Sequence, residues 1–331
     1  MPTITPASMS ALREQEFPIT ADYTYLNHAT QGPLPTRTRQ ALDLAAQQAQ
    51  WPGIMPDAPR EFTYARPRLA SLLGVGEDDL VFTPNTTYGL NVCAHGIEWR
   101  AGDNVVIPDR EFPSLARTWL NLRAFGVEVR VVPWQGAGPT VDQLMQAVDR
   151  RTRVVSCSAV AWDTGFRVDL ETLGRRCEAA GILLIVDGIQ AVGAVQVDPA
   201  ALRLSALSFH GYKWLLAGFG CGAMYVAPSA VEQIRPRFVG EQSYAGGEDD
   251  TIDATAWKAG AQRYTVGGMN MPGLTALAAS LELLESVGLP AIERHNHELT
   301  AMLFEGLHAL PAVELVTPRE QCASIVVFTL G

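Results

Sequence analysis

The run "ILLIVD" (182–187) constrains the fold of this chain more than any other stretch. Its apolar residues follow one another without alternation, which describes a strand buried on both faces inside a parallel sheet. Parallel neighbours need a long crossover between them, usually a helix. The flanking sequence supplies such crossovers repeatedly. "DLVFT" (79–83) is followed by the helical spacing of "TYGLNVCAHGI" (87–97). "DNVVIP" (103–108) precedes "PSLARTWLNLRAFG" (113–126), which a glycine closes. "VEVRVVP" (127–133) alternates like a strand, and "TVDQLMQAVD" (140–149) opens with a Thr140–Gln143 capping box. "RVVSCSAV" (153–160) and the helical "DLETLGRRCEAAG" (169–181) lead into the buried run; "LSALSF" (204–209) and "CGAMYVAP" (221–228) follow it.

These patterns predict an α/β fold with a mostly parallel central sheet and helices on both faces. We place an N-terminal arm over 1–21 and the large domain over 22–260. A polar, glycine-rich stretch near 240–265 reads as a long loop. Beyond it, 261–331 reads as a smaller α+β C-terminal domain with helices over 272–288 and 290–310 and a strand over 324–330. A lone strand at the end of the chain needs partners, so this domain looks truncated and a tail is expected to be missing.

Composition narrows the function. The net charge of −10 argues against a protein that tracks nucleic-acid phosphates. The cysteines, Cys93, Cys157, Cys177, Cys221 and Cys322, are odd in number and contain no C-x-x-C pair. That usage fits a reduced cytoplasmic protein better than a disulfide framework or a zinc site. The N-terminus lacks a basic region followed by an apolar one, so no signal peptide is read. His295 and His297, two apart on a helix pattern, point to different faces, and no metal site is read there.

In an open α/β sheet, ligands sit at the C-terminal ends of the strands. Asp187 ends the buried run, and Lys213 follows the next strand pattern 26 residues later (213 − 187). A partly desolvated lysine amine attacks carbonyls and forms a Schiff base. Pyridoxal 5′-phosphate uses such a lysine, together with an acid that keeps its ring nitrogen protonated. The other reading of Asp187 is a cap for the turn "DGIQAVG", from which Gln190 could face the same crevice. Thr86 and Thr87 stand at a helix start, where hydroxyls and free N–H groups suit a phosphate; simple N-capping is the alternative. His210 and Tyr212 could add donors, and Phe112 could stack on a flat ring. Asn27 could contact substrate or the cofactor oxygen, or form a turn; His28 could act behind it or be an ordinary loop histidine. Without a G-x-G-x-x-G at a strand-to-helix turn, a dinucleotide-binding reading has little support.

The ordered set "NTTYGLN", "PDREFPS", "VDGIQAVG" and "SFHGYKWLLAGFGCG" resembles the class V aminotransferase family of fold-type I pyridoxal-phosphate enzymes. That family includes cysteine desulfurases, selenocysteine lyases, isopenicillin-N-epimerase-like proteins and aminotransferases. The resemblance implies that Lys213 holds the cofactor and moves protons at the substrate α-carbon. It implies that Asp187 pairs with the pyridine nitrogen, that Gln190 bonds the ring oxygen, and that Thr86, Thr87, His210 and Tyr212 hold the phosphate. Phe112 stands where desulfurase-like members place a stacking histidine; it can stack but cannot move a proton. "YTVGGMNMPGL" (264–274) is similar to the segment that reaches the neighbouring subunit's cofactor, which implies a homodimer with Gly268 and Asn270 near the partner's site. Gly268 replaces a threonine common in the family. The expected activity is transamination of an amino acid, with desulfurase, lyase or epimerase chemistry, or cofactor binding without turnover, as alternatives.

Overall fold

The computed structural model describes residues 6–51, 61–134, 136–246 and 256–331. Its centre is a seven-stranded sheet of β1 (Leu80–Thr83), β2 (Asn104–Pro108), β3 (Glu128–Val132), β4 (Thr152–Ser158), β5 (Leu183–Asp187), β6 (Ala206–His210) and β7 (Gly222–Val226). The order across the sheet is β3-β2-β4-β5-β6-β7-β1. All neighbours are parallel except β7, which runs antiparallel to both β6 and β1. The expected mostly parallel sheet is therefore present. β5 is buried at every position, and both α4 (Thr86–Gly96) and α7 (Leu170–Ala179) lie against it. That double cover is what its unbroken apolar sequence encodes.

Topology brings the functional edge together. Because β7 is flanked by antiparallel partners on both sides, β1 points the same way as β6. Their C-terminal residues meet across it: Gly222 is in register with both Thr83 and His210. A side chain at Gly222 would meet the Phe209 carbonyl at 2.6 Å, so the strand needs a glycine there. Ser158 pairs with Asp187, and Asp187 with Ser208, two residues before His210. The ends of β1, β4, β5 and β6 thus form one rim.

Helix α4 starts at this rim because Asn85 caps it, its side chain accepting from the Tyr88 N–H at 2.9 Å. Gly89 lets α4 approach β6; a Cβ there would sit 2.3 Å from Ser208 Oγ. Helix α5 (Pro113–Leu120) begins with proline in its first turn, a position that costs no hydrogen bond. The α6 helix (Val141–Gln146) carries the expected Thr140–Gln143 capping box.

Several elements were not read from the sequence. Helix α1 (Pro6–Glu16) ends in a buried Glu16 that pairs with Arg37 of α2 (Thr36–Ala49) at 2.8 Å. Together α2 and α3 (Ala65–Leu73) cover α8 (Met271–Val287). The apolar face of α8 (Leu274, Leu277, Leu281, Leu284) joins the main core. The α8 helix and α9 (Leu289–His308), which follows at once, are the helices expected over 272–288 and 290–310. The strand expected over 324–330 is shorter: only Phe328–Leu330 (β9) pairs, with β8 (Val313–Leu315). The preceding residues cross the turn at Gly165 instead, where Ile325 is buried and its carbonyl lies against the glycine. Of the loop expected over 240–265, residues 247–255 lie outside the described residues. Among the described residues, no single helix is long and apolar enough to cross a membrane.

Leu184, fully buried in β5, tests this core. Leu184→Ala is expected to cost about 2–5 kcal/mol of unfolding free energy in urea titrations. A loss below about 1 kcal/mol would contradict the double cover of β5.

Candidate active site

A small cavity of about 90 Å³ opens at the sheet rim. Asn85, Thr86, Thr87, Phe112, Ser158, Trp162, Asp187, Gln190, His210, Tyr212 and Lys213 all line it. It therefore gathers every residue that the sequence assigned to the cofactor within one subunit. Each reaches it for a local reason. Asp187 and His210 end β5 and β6, Thr86 and Thr87 open α4, and Lys213 lies on the loop between β6 and β7.

Asp187 and Lys213 set the electrostatics. Both are buried, at 3% and 7% relative exposure. Burial pushes the Asp187 carboxyl up to about 6, while the Ile189 N–H (2.9 Å) and the Lys213 charge hold it down. Burial also lowers the Lys213 ammonium below its ordinary value, and Asp187 opposes that shift. Among the described residues, neither finds an oppositely charged side chain within ion-pair distance. Burial thus favours the free amine of Lys213 relative to that of an exposed lysine.

The loop that carries Lys213 is tightly held. The Gly32 N–H donates to the Tyr212 carbonyl at 2.9 Å, and a Cβ at Gly32 would lie 2.1 Å from the Lys213 carbonyl. Leu216, three residues on, has a φ of +57°, a conformation that branched side chains rarely adopt. Gln190 fastens this loop to the 27–32 segment: its Oε1 accepts from Trp214 Nε1 and its Nε2 donates to the Ala29 carbonyl, both at 3.0 Å. The amide keeps one further N–H for a ring oxygen.

His210 is spent on the protein itself. Its Nδ1 accepts from the Tyr212 N–H at 3.2 Å, and the ring also bonds the backbone of Pro84. Proline has no N–H, so its carbonyl accepts and the other ring nitrogen donates. Burial depresses the imidazole to about 4, which keeps it neutral. His210 thus ties the Lys213 loop to the start of α4. Tyr212 stacks on Phe219 at 4.5 Å.

Asn27 and His28 do not line the cavity. His28 stacks on Trp214 at 5.2 Å, and the Asn27 carbonyl accepts from the Thr30 and Gln31 N–H groups, as in a turn. Gly268 and Asn270 border a separate cavity of about 250 Å³. Asn270 caps α8 by accepting from the Gly273 N–H at 3.1 Å, and it donates to the Gly220 carbonyl. Sequence reasoning missed Asn85, Ser158, Trp162 and Glu111. The Asn85 cap, three residues before Tyr88, was the one readable signal among them.

Comparison with known proteins agrees with this geometry. The family described as Aminotransferase class-V matches residues 49–331. This chain belongs to that family. A probable cysteine desulfurase of Methanothermobacter thermautotrophicus is 27% identical over 325 residues, covering 96% of this chain and 80% of that protein. A cysteine desulfurase of Cronobacter sakazakii is 29% identical over 284 residues, covering 84% of this chain and 69% of that protein. Among solved structures, a lysine-to-alanine mutant of C-DES with glycine covalently linked to its PLP cofactor superposes with a TM-score of 0.87 at 26% identity. That match covers 96% of this chain and 86% of C-DES.

Pyridoxal 5′-phosphate is the cofactor that the family and its solved members indicate. The residues present fit it. Among the described residues, the buried Thr86 Oγ1 finds no hydrogen-bond partner, an orphan that a phosphate oxygen at the start of α4 would satisfy. Asp187 offers a buried carboxylate for a protonated ring nitrogen, and Lys213 offers the amine.

The raised Asp187 pKa has a signed consequence. A carboxyl whose folded pKa exceeds its ordinary 3.8 favours the folded state at low pH, and that contribution is lost as pH rises through about 6. Cofactor-free Asp187→Asn is therefore expected to lose less stability than wild type between about pH 4 and pH 7 in thermal unfolding scans. Its cofactor affinity should fall about 10- to 100-fold, as for a lost charge-assisted hydrogen bond. Unchanged affinity would remove Asp187 from the site.

Proposed function

We propose that this protein is a pyridoxal-phosphate-dependent lyase that cleaves the carbon–sulfur bond of a cysteine- or cystine-type amino acid. The observation that carries the reading is the Lys213 amine and the Asp187 carboxyl, both buried in one cavity at the sheet rim. When bound, the cofactor acts as an electron sink for the substrate α-carbon. Lys213 Nζ takes the α-proton, a task suited to an amine whose pKa burial has lowered. Asp187 holds a proton on the ring nitrogen. His210, neutral and doubly bonded, keeps the Lys213 loop and the start of α4 in fixed relation.

The sequence reading put transamination first. The relatives support sulfur chemistry instead. Two are named cysteine desulfurases, and one C-DES structure is described as a cystine C–S lyase with its product cysteine persulfide. Within that chemistry, the likeness to C-DES favours a lyase that releases its sulfur in the product, and the five cysteines of this sequence are not placed to accept it. All five are buried, and burial pushes Cys93, Cys177 and Cys221 up to about 12 and Cys322 to about 11. A sulfur-accepting cysteine needs exposure and thiolate character. The same reading carries a homodimer, with the Gly268–Asn270 segment of one subunit facing the other's cofactor.

The test is product analysis on cofactor-loaded protein given L-cystine, L-cysteine, or L-alanine with a keto acid. The expected result is pyruvate and ammonia with persulfide from cystine. Lys213→Ala should lower the rate by about 10²–10⁴-fold or more. Amino-group transfer to the keto acid with no sulfur release would overturn the lyase reading.

A further inference from the structure

One half-buried acid at the rim has no part in the chemistry above. Glu111 lies between β2 and α5, immediately before Phe112. Its carboxyl turns toward the end of β4 and takes both donors of Ser158: the backbone N–H at 2.7 Å and the hydroxyl at 2.5 Å. It is also bonded to the Phe112 backbone. Ser158 is the residue in register with Asp187, and the Ala159 N–H donates to the Asp187 carbonyl at 2.9 Å. Ser158 and Phe112 both line the cavity.

The same loop is attached a second time. Trp162 Nε1 donates to the Arg110 carbonyl at 3.3 Å, and the Trp162 ring meets the Phe112 ring edge-on, 5.6 Å between centroids. Phe112 itself is 39% exposed, so packing alone does not hold it. Its carbonyl is committed to α5, accepting from the Leu115 and Ala116 N–H groups. The Phe112 ring therefore depends on where the loop is pinned; Arg110 holds it to Trp162 and Asp163, and the pin adjoining Phe112 is Glu111. The Glu111 carboxyl is desolvated enough that burial pushes it up to about 7, with the Asp187 charge raising it further and the Ser158 bonds lowering it. A surface carboxylate would carry no such cost, and the two short Ser158 bonds offset it here.

We propose that Glu111 is a positioning residue: by clamping Ser158 it fixes the 109–112 loop and so holds the Phe112 ring in place against the cofactor. The proposal rests on pyridoxal phosphate binding beside Lys213. Specificity for a planar ring then comes from a loop anchored to the strand that neighbours Asp187.

The experiment compares wild type, Glu111→Gln, Glu111→Ala, Phe112→Ala and the Glu111→Ala/Phe112→Ala double variant. Two quantities are read: the dissociation constant of pyridoxal phosphate, and the visible circular dichroism per bound cofactor, which reports ring orientation. Thermal unfolding of each cofactor-free variant confirms folding. A glutamine can accept from the Ser158 N–H and donate to its hydroxyl, so Glu111→Gln should bind within about threefold of wild type with the same dichroism. Glu111→Ala should weaken binding about tenfold and reduce the dichroism, as for loss of charge-assisted bonds. Because both residues act through one ring, the double variant should be no weaker than Phe112→Ala alone. Unchanged binding and dichroism in Glu111→Ala would overturn the proposal. So would fully additive losses, or a Glu111→Gln defect equal to that of Glu111→Ala, which would assign the effect to charge on Asp187. Failure of wild type to bind the cofactor would instead count against the cofactor reading itself.

Discussion

Two opposite ionisable groups, Asp187 and Lys213, are buried at neighbouring strand ends, and the rest of the molecule is organised around that cost. Isolated charges in a dry cleft are expensive, so each is shifted toward its neutral form. Asp187 would hold the ring nitrogen of a bound pyridoxal phosphate and Lys213 its aldehyde carbon, which would satisfy both groups at once. The sheet order makes this possible. The antiparallel β7 lies between β6 and β1 and so leaves β1 pointing the same way as β6, which brings the start of α4 to the same rim as Asp187 and Lys213.

Around this pair the protein builds fixed connections. Gln190 joins the Lys213 loop to the 27–32 segment, His210 joins it to Pro84, and Glu111 joins the Phe112 loop to Ser158. Each uses hydrogen bonds inside a low-dielectric rim, where a partnered polar group rigidifies and an unpartnered one is costly. Gly32 and Gly222 contribute by absence, since a side chain at either would strike backbone at 2.1 Å or 2.6 Å. The site is thus largely preformed, and binding it spends little on ordering loops.

Much of this was legible in the sequence. "ILLIVD" marked the central strand, and the rule that ligands gather at strand ends pointed to Asp187 and Lys213. The Thr86–Thr87 pair was readable as a helix start. Other features were not, for physical reasons. "PDREFPS" reads as a polar loop, and nothing local shows that Glu111 reaches Ser158, 47 residues away. Gln190 reads as a ligand to the ring and does line the cavity, but its bonds to Ala29 and Trp214, 161 and 24 residues distant, could not be seen in the sequence. The strand over 324–330 looked continuous because most of its residues are apolar; Ile325 is buried where the chain crosses the Gly165 turn, and only the exposed Phe328–Leu330 pair.

The central claim is that Lys213 is the residue to which the cofactor becomes bonded. The most direct measurement is peptide mass spectrometry of the protein incubated with pyridoxal phosphate and reduced with borohydride. The account predicts a single phosphopyridoxyl group, located on Lys213 and absent from Lys213→Ala. An adduct confined to Lys258, the other lysine of the chain, or no adduct on folded protein, would contradict it.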